Sequence, residues 1–271
     1  MLRRPSSDYR EYRPDAGLEA WIACTWSQTI GDGDAEFLQR VLPDGCADVV
    51  WIGDAGARAV GPATASVVEV LPPGTSVVGV RFRPGAAAAA LDVPAFDLRD
   101  RQPKLEELWG QPARALDERV LEATGLTAKL AAAESGIRVR LVTARVPDAI
   151  VLAVAANIEL YPDACLERAL TEVGLSERQL RRRFREEVGY GPKTFQRIAR
   201  LRRLLALAAS DRSLSALAME LGYADQAHMT REVATLAGIS PAQLVARAPV
   251  LQAVSDPFDV RNLQDRWVRG P

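Results

Sequence analysis

The chain has 271 residues, 48% of them hydrophobic and 25% charged, with a formal net charge of −1; that is room for two domains with cores and the balance of an ordinary soluble protein. No run approaches ~18 apolar residues, so a membrane span is not expected, and the polar start MLRRPSSDYREYRPD is no secretory signal. Cys24, Cys46 and Cys165 are widely spaced and fit a reducing cytoplasm, while a single histidine, His228, argues against a Ser-His-Asp triad or a His-based metal centre.

After a polar leader, short runs rich in β-branched and aromatic residues predict strands at Trp21–Gln28, Glu36–Leu42, Ala47–Ile52, Ala57–Val60, Ser66–Val70 and Ser76–Arg83. Turn signals separate them, among them Pro43-Asp44-Gly45 and Leu71-Pro72-Pro73-Gly74. Closely spaced short strands predict a small sandwich or barrel. Helical pieces follow at Gly85–Leu91, Lys104–Trp109, Ala113–Ala123 and Leu126–Ala144, making an α+β unit over residues 1–145.

Past Pro147 the pattern becomes helical. Ile150, Val151, Val154 and Ile158 share one helical face, and the sequence then repeats itself. LERALTEVGLSERQLRRRFREEVGYGP (Leu166–Pro192) is answered by LSALAMELGYADQAHMTREVATLAGISP (Leu214–Pro241). Each copy reads as a short helix, a turn at Gly174 or Gly222, and a longer helix, which is the helix-turn-helix plan. The longer helix of the first copy, Ser176–Val188, holds five arginines around an apolar stripe of Leu180, Phe184 and Val188. Between the copies, Pro192–Ala209 predicts a linker helix with Phe195, Ile198, Leu201 and Leu205 on its apolar side. Two reading helices entering successive major grooves must sit roughly 34 Å apart, and a rigid linker can hold them there. Charge divides in the same sense: residues 165–248 carry 14 basic and 9 acidic side chains, leaving 20 basic and 26 acidic elsewhere. A basic module behind an acidic one suits a polyanionic partner.

The segments LSERQLRRRFREEVGYGP, RLRRLLALA and LGYADQAHMTREV…GISP resemble the DNA-binding domain of the AraC/XylS family of bacterial transcription regulators. The resemblance covers about residues 146–248 and leaves 249–271 as an unassigned tail. It implies a cytoplasmic, sequence-specific regulator binding double-stranded DNA, with RNA polymerase as a further partner if it activates. By position it implies base-edge contacts from Arg178, Arg181 and Arg182 in the first unit and from Gln226, Thr230 and Arg231 in the second. Backbone amides at Ser176 and Asp225 would hold phosphates. Met229 and Val233 stand where the family usually has phenylalanines, and Glu232 adds negative charge, so the second unit is expected to pack more loosely or contribute less base contact, and the first to dominate. RVLPDGCADVVW, LPPGTSVVGVRFRPG and DLRDR resemble an uncharacterised sensor-type domain found ahead of such modules in actinobacterial regulators, where a cupin-like barrel often binds an effector or dimerises.

For a small-molecule effector the candidate residues are Trp26, Asp44, Cys46, Trp51, Arg81 and Arg83. Each also has a plain structural reading: Trp26 and Trp51 as barrel core, Asp44 as a turn former, Cys46 as a small buried hydrophobe. Arg81 and Arg83 alternate and are expected to share a strand face. No catalytic residue, metal or cofactor is expected. Two alternatives stay open: a constitutive regulator whose N-terminal domain only dimerises, and a DNA-repair enzyme fused to a DNA-binding module.

Overall fold

The computed structural model describes residues 6–33, 35–163, 174–208 and 212–252. Seven strands come first: β1 (Ser7–Tyr12), β2 (Ile22–Ile30), β3 (Phe37–Val41), β4 (Ala47–Ile52), β5 (Ala57–Val60), β6 (Val67–Leu71) and β7 (Ser76–Phe82). The order β1-β2-β7-β4-β5 makes an antiparallel five-stranded sheet, and β3 pairs with β6 in a separate antiparallel ribbon. The polar leader is therefore an edge strand. Its side chains are exposed or half-buried throughout, and only Tyr9 and Glu11 lean inward. Charged edge strands avoid the apolar alternation by which a strand is read from sequence.

The period of two gives the large sheet two different faces. On one, Val49 and Trp51 of β4 and Val78, Val80 and Phe82 of β7 join Leu116 and Ile137 in a closed core. On the other, Trp26, Val50 and Val77 pack with Leu71 of β6. A register shift in β2 between Ile22 and Cys24 sends these residues to opposite cores although they are two apart, as a bulge does. The closed core is completed by α1 (Ala87–Leu91), α2 (Ala95–Leu98), α3 (Leu105–Trp109), α4 (Gln111–Glu122) and α5 (Leu126–Leu141).

The helical region contains α6 (Ala149–Leu160), α7 (Glu177–Val188), α8 (Pro192–Ala206), α9 (Leu214–Glu220), α10 (Gln226–Ala237) and α11 (Pro241–Gln252). The opening helix of the first repeat, with Leu166 and Cys165, lies outside the described residues, as does most of the tail. Gly174 and Gly222 both have positive φ, +65° and +73°, the left-handed turn each repeat was read to need. The linker helix α8 packs against α6, both longer repeat helices and α11. Its Phe195, Ile198, Leu201 and Leu205 share one core with Leu180, Phe184, Met229 and Val233. The second repeat is not loosely packed: Met229 and Val233 are both fully buried.

The two halves are not beads on a string. Leu42, from the N-terminal half, belongs to the helical core. Behind it the turn Pro43–Cys46 lies against α8: the Asp44 carbonyl accepts from Arg202 Nη1 (3.4 Å), and Gly45 faces the Phe195 ring.

Candidate nucleic-acid interface and the cavity behind it

Helix α7 begins with a capping box: Ser176 Oγ accepts from the Gln179 amide (3.3 Å) and Gln179 Oε1 accepts from the Ser176 amide (3.0 Å). Leu180, Phe184 and Val188 point into the core, so the arginines fall on the other sides. They divide into two groups. Arg183 donates to Asp148, the N-cap of α6 (3.2 Å), and Arg185 lies 4.7 Å over the ring of Phe96. Arg178, Arg181 and Arg182 are exposed, and no ion pair to a described residue engages them. Glu187 near the end of α7 is buried and takes a two-pronged bond from Arg145 (2.7 and 3.0 Å).

Helix α10 starts at Asp225, whose Oδ1 accepts from the His228 amide (2.6 Å). Its outer face carries Gln226, Ala227, Thr230, Arg231 and Ala234, all exposed. The Thr230 hydroxyl donates to the Gln226 carbonyl (2.8 Å), which leaves its oxygen free to accept. His228 faces the neighbouring turn, accepting from the Ala224 amide (3.4 Å) and meeting Tyr223 edge-on. Glu232 does not face outward with Arg231. It is 6% exposed and accepts from Arg197 Nε and Arg200 Nη2 of α8, both at 3.0 Å. Its charge is neutralised by the linker helix and is not presented on the second reading surface, contrary to the expectation from sequence.

Behind this surface, between the five-stranded sheet and the β3–β6 ribbon, is a cavity of about 150 Å³. Tyr9, Trp26, Val50, Ile52 and Val77 line it from the large sheet, and Gln39, Val41, Val67, Glu69 and Leu71 from the ribbon. Gln28 Nε2 bonds Gln39 Oε1 across the gap (3.0 Å). The Trp26 indole lies flat across β7 at Gly79, where a Cβ would stand 2.3 Å from the ring. That close approach lets the indole N–H reach Asp48 Oδ1 on β4 (2.8 Å). Arg81 bonds the same oxygen through Nε (3.1 Å), with Asp44 at 3.5 Å and Glu11 at 3.6 Å. Burial pushes the Asp48 carboxyl up to about 6 against the opposing pull of Arg81.

The proposed effector residues are thus distributed over three places. Trp26 and Arg81 line the cavity, and Asp44 touches it only through Arg81 while its Oδ1 accepts from the Cys46 amide (2.9 Å). Trp51 faces the opposite core and donates to Asp117 (2.9 Å). Cys46 is buried beside Gly45 and Val188 in a crevice of about 10 Å³, and burial with Asp44 nearby holds its thiol well above the usual range. Arg83 does not share a face with Arg81, because β7 ends at Phe82 and the Arg83 guanidinium turns to the Glu19 carbonyl. Asp48, Gln28, Gln39 and Glu69 were not singled out. Asp48 had a signal, a carboxylate inside the apolar run ADVVWI in phase with Val50.

The cavity wall reaches α10. Ser66, just ahead of β6, donates its amide to the Leu236 carbonyl (2.7 Å) and its hydroxyl to the Ala237 carbonyl (2.9 Å). Arg40 of β3 donates Nη1 to Ser66 Oγ (3.1 Å) and to the Ala237 carbonyl (3.2 Å). Three donors, one of them the Arg40 cation, therefore sit on the carbonyls that end α10, where the helix dipole is negative.

Comparison with known families gives two matches: residues 10–104 with a domain of unknown function (DUF6597), and residues 170–247 with a helix-turn-helix domain. No curated protein matches the chain. Among solved structures it is similar to ToxT from Vibrio cholerae O395, with 8% identity and a TM-score of 0.43 over 89% of this chain and 97% of that one. It is also similar to unsaturated fatty acid-bound ToxT from Vibrio cholerae strain SCE256, with 8% identity and a TM-score of 0.42 over 94% and 99% of the two chains. No helix among the described residues is long and apolar enough to cross a membrane. The chain therefore carries a C-terminal helix-turn-helix domain of AraC type, a DNA-binding module, behind a domain of unknown function.

Proposed function

We propose that the protein reads two successive major-groove segments, with α7 and α10 as reading helices, and that occupancy of the N-terminal cavity adjusts how it does so. The observation that carries the first part is the outer faces of the two helices. Arg178, Arg181 and Arg182 on one, and Gln226, Thr230 and Arg231 on the other, are exposed. Arginine pairs with guanine and glutamine with adenine by two bonds each, so both helices hold base-reading groups. The Ser176 amide is taken by Gln179 Oε1, so at the start of α7 a phosphate would meet the first-turn amides that the capping box leaves, and at α10 those behind the Asp225 cap. Selecting bound sequences from a random DNA pool tests this; a pool that stays unenriched would remove the reading.

What supports the second part is the double anchoring of the cavity. Its ribbon wall is bonded to the end of α10 through Arg40 and Ser66. Its Arg81 pairs with Asp44, whose backbone holds Arg202 of the linker helix. A ligand can shift the DNA-competent population only by binding that arrangement better than another. Both anchors give it differential contacts to work through. Operator affinity measured with and without a cavity ligand tests the coupling.

A second reading, that the N-terminal domain only dimerises, draws on the exposed Leu38, Val68 and Val70 of the ribbon. A dimer that Leu38→Asp dissociates, together with ligand-independent operator affinity, would favour it.

A further inference from the structure

We propose that the cavity is a site for a small, neutral, single-ring molecule bearing one hydrogen-bond acceptor, and that it discriminates against organic acids and against cations. This rests on the reading of the cavity as an effector site, and narrows the ligand class.

Size comes first. A cavity of about 150 Å³ is comparable to an engineered apolar cavity that holds benzene. Tyr9 and Trp26, 5.6 Å apart between ring centres, supply an aromatic wall, and Val50, Ile52, Val77 and Leu71 the rest of the apolar lining. Val67, Asp100 and Arg101 line it too and are exposed, so they mark the mouth.

Next is the acceptor. Arg81 is 6% exposed, and its Nη1 is buried without a hydrogen-bond partner among the described residues; Glu11 Oε1 stands 3.6 Å from it, beyond hydrogen-bond reach. A buried donor left unbonded is costly, and a ligand carbonyl or hydroxyl would satisfy it.

Charge then decides between an acid and a neutral molecule. An arginine in an apolar cavity suggests a carboxylate ligand, but this one already faces Asp48, Asp44 and Glu11. A ligand carboxylate would be a fourth negative group around one guanidinium, desolvated without a counter-charge. The raised Asp48 carboxyl shows the same resistance to negative charge at this spot. A cationic ammonium or amidinium group has no acceptor to offer Arg81 Nη1 and would leave that buried donor unbonded. Neutrality with an acceptor meets both constraints.

The test uses the full-length chain and four probes of one shape: benzamide, benzoate, benzamidinium and toluene, followed by calorimetry or ligand-observed NMR. Benzamide should bind at least tenfold more tightly than each of the others. Val50→Phe, which fills the cavity, should abolish benzamide binding while circular dichroism stays native. Tighter binding of benzoate or benzamidinium would overturn the charge argument, and toluene equal to benzamide would overturn the role of the Arg81 donor. No binding of any probe, or benzamide binding that survives Val50→Phe, would overturn the site. If benzamide binds as described but operator affinity is unmoved, the ligand class stands and the coupling to DNA reading falls.

Discussion

Gly45→Ala tests the joint between the two halves. Gly45 has φ +86°, and a Cβ there would stand 2.5 Å from Phe195 Cε2. The left-handed backbone costs a non-glycine residue roughly 1–2 kcal/mol. Overpacking against a buried ring adds about 1–3 kcal/mol. Phe195 is 1% exposed and also packs on Phe184 at 5.8 Å, so it has little room to retreat. The variant should therefore lose about 2–5 kcal/mol of stability, read by urea denaturation followed at the tryptophans. Gly33→Ala is the control: no atom lies within 4 Å of its Cβ position and its φ is not positive, so it should be near neutral. Phe195→Ala removes the clash but not the backbone cost, so the double variant should be more stable than the sum of the single effects implies. A Gly45→Ala protein as stable as the Gly33→Ala control, or strict additivity with Phe195→Ala, would refute the claim that this turn is wedged against the linker helix.

Other expectations follow from the same contacts. Arg182→Ala should cost about 1–3 kcal/mol on a selected site and relax preference at one base, whereas an equal loss on all sequences would make it a phosphate contact. Glu232→Gln should destabilise the helical domain by about 2 kcal/mol or more, because Arg197 and Arg200 lose their shared carboxylate; unchanged stability with weakened DNA binding would return Glu232 to the reading face. Arg40→Ala removes two bonds, so it should cost about 1–2 kcal/mol and reduce any effect of a cavity ligand on operator affinity, leaving ligand binding in place. The pH dependence has a definite sign. With its carboxyl raised from 3.8 to about 6, Asp48 favours the fold fully below the lower value, and that contribution is lost as pH rises through the upper one. Across that window wild type should lose stability relative to Asp48→Asn, and a constant difference between them would contradict the shift.

Much of this architecture is legible in the sequence because its signals are local. The β-branched and aromatic runs at Ala47–Ile52 and Ser76–Arg83, the helix starts at Ser176 and Asp225, and the repeated glycine turns each specify an element within a few residues. The edge strand Ser7–Tyr12 escaped because its partner β2 supplies the burial. The fate of Glu232 escaped because it depends on Arg197 and Arg200, more than 30 positions away. Trp51 and Trp26 look alike as sequence; only the pairing of β2, β7 and β4 puts Trp26 in the cavity and Trp51 in the closed core on the other face of the sheet. The contacts of Arg40 and Ser66 with the end of α10 join residues about 170–200 positions apart, and no local pattern encodes them.

The central claim is that α7 and α10 read DNA sequence, and affinity for a selected site as a function of salt tests it most directly. With full-length protein, the selected sequence should bind at least ~10³-fold more tightly than a scrambled one. The logarithm of affinity should fall linearly with the logarithm of salt, by about 0.9 for each phosphate contacted. Equal affinity for selected and scrambled DNA, or a flat salt response, would contradict it.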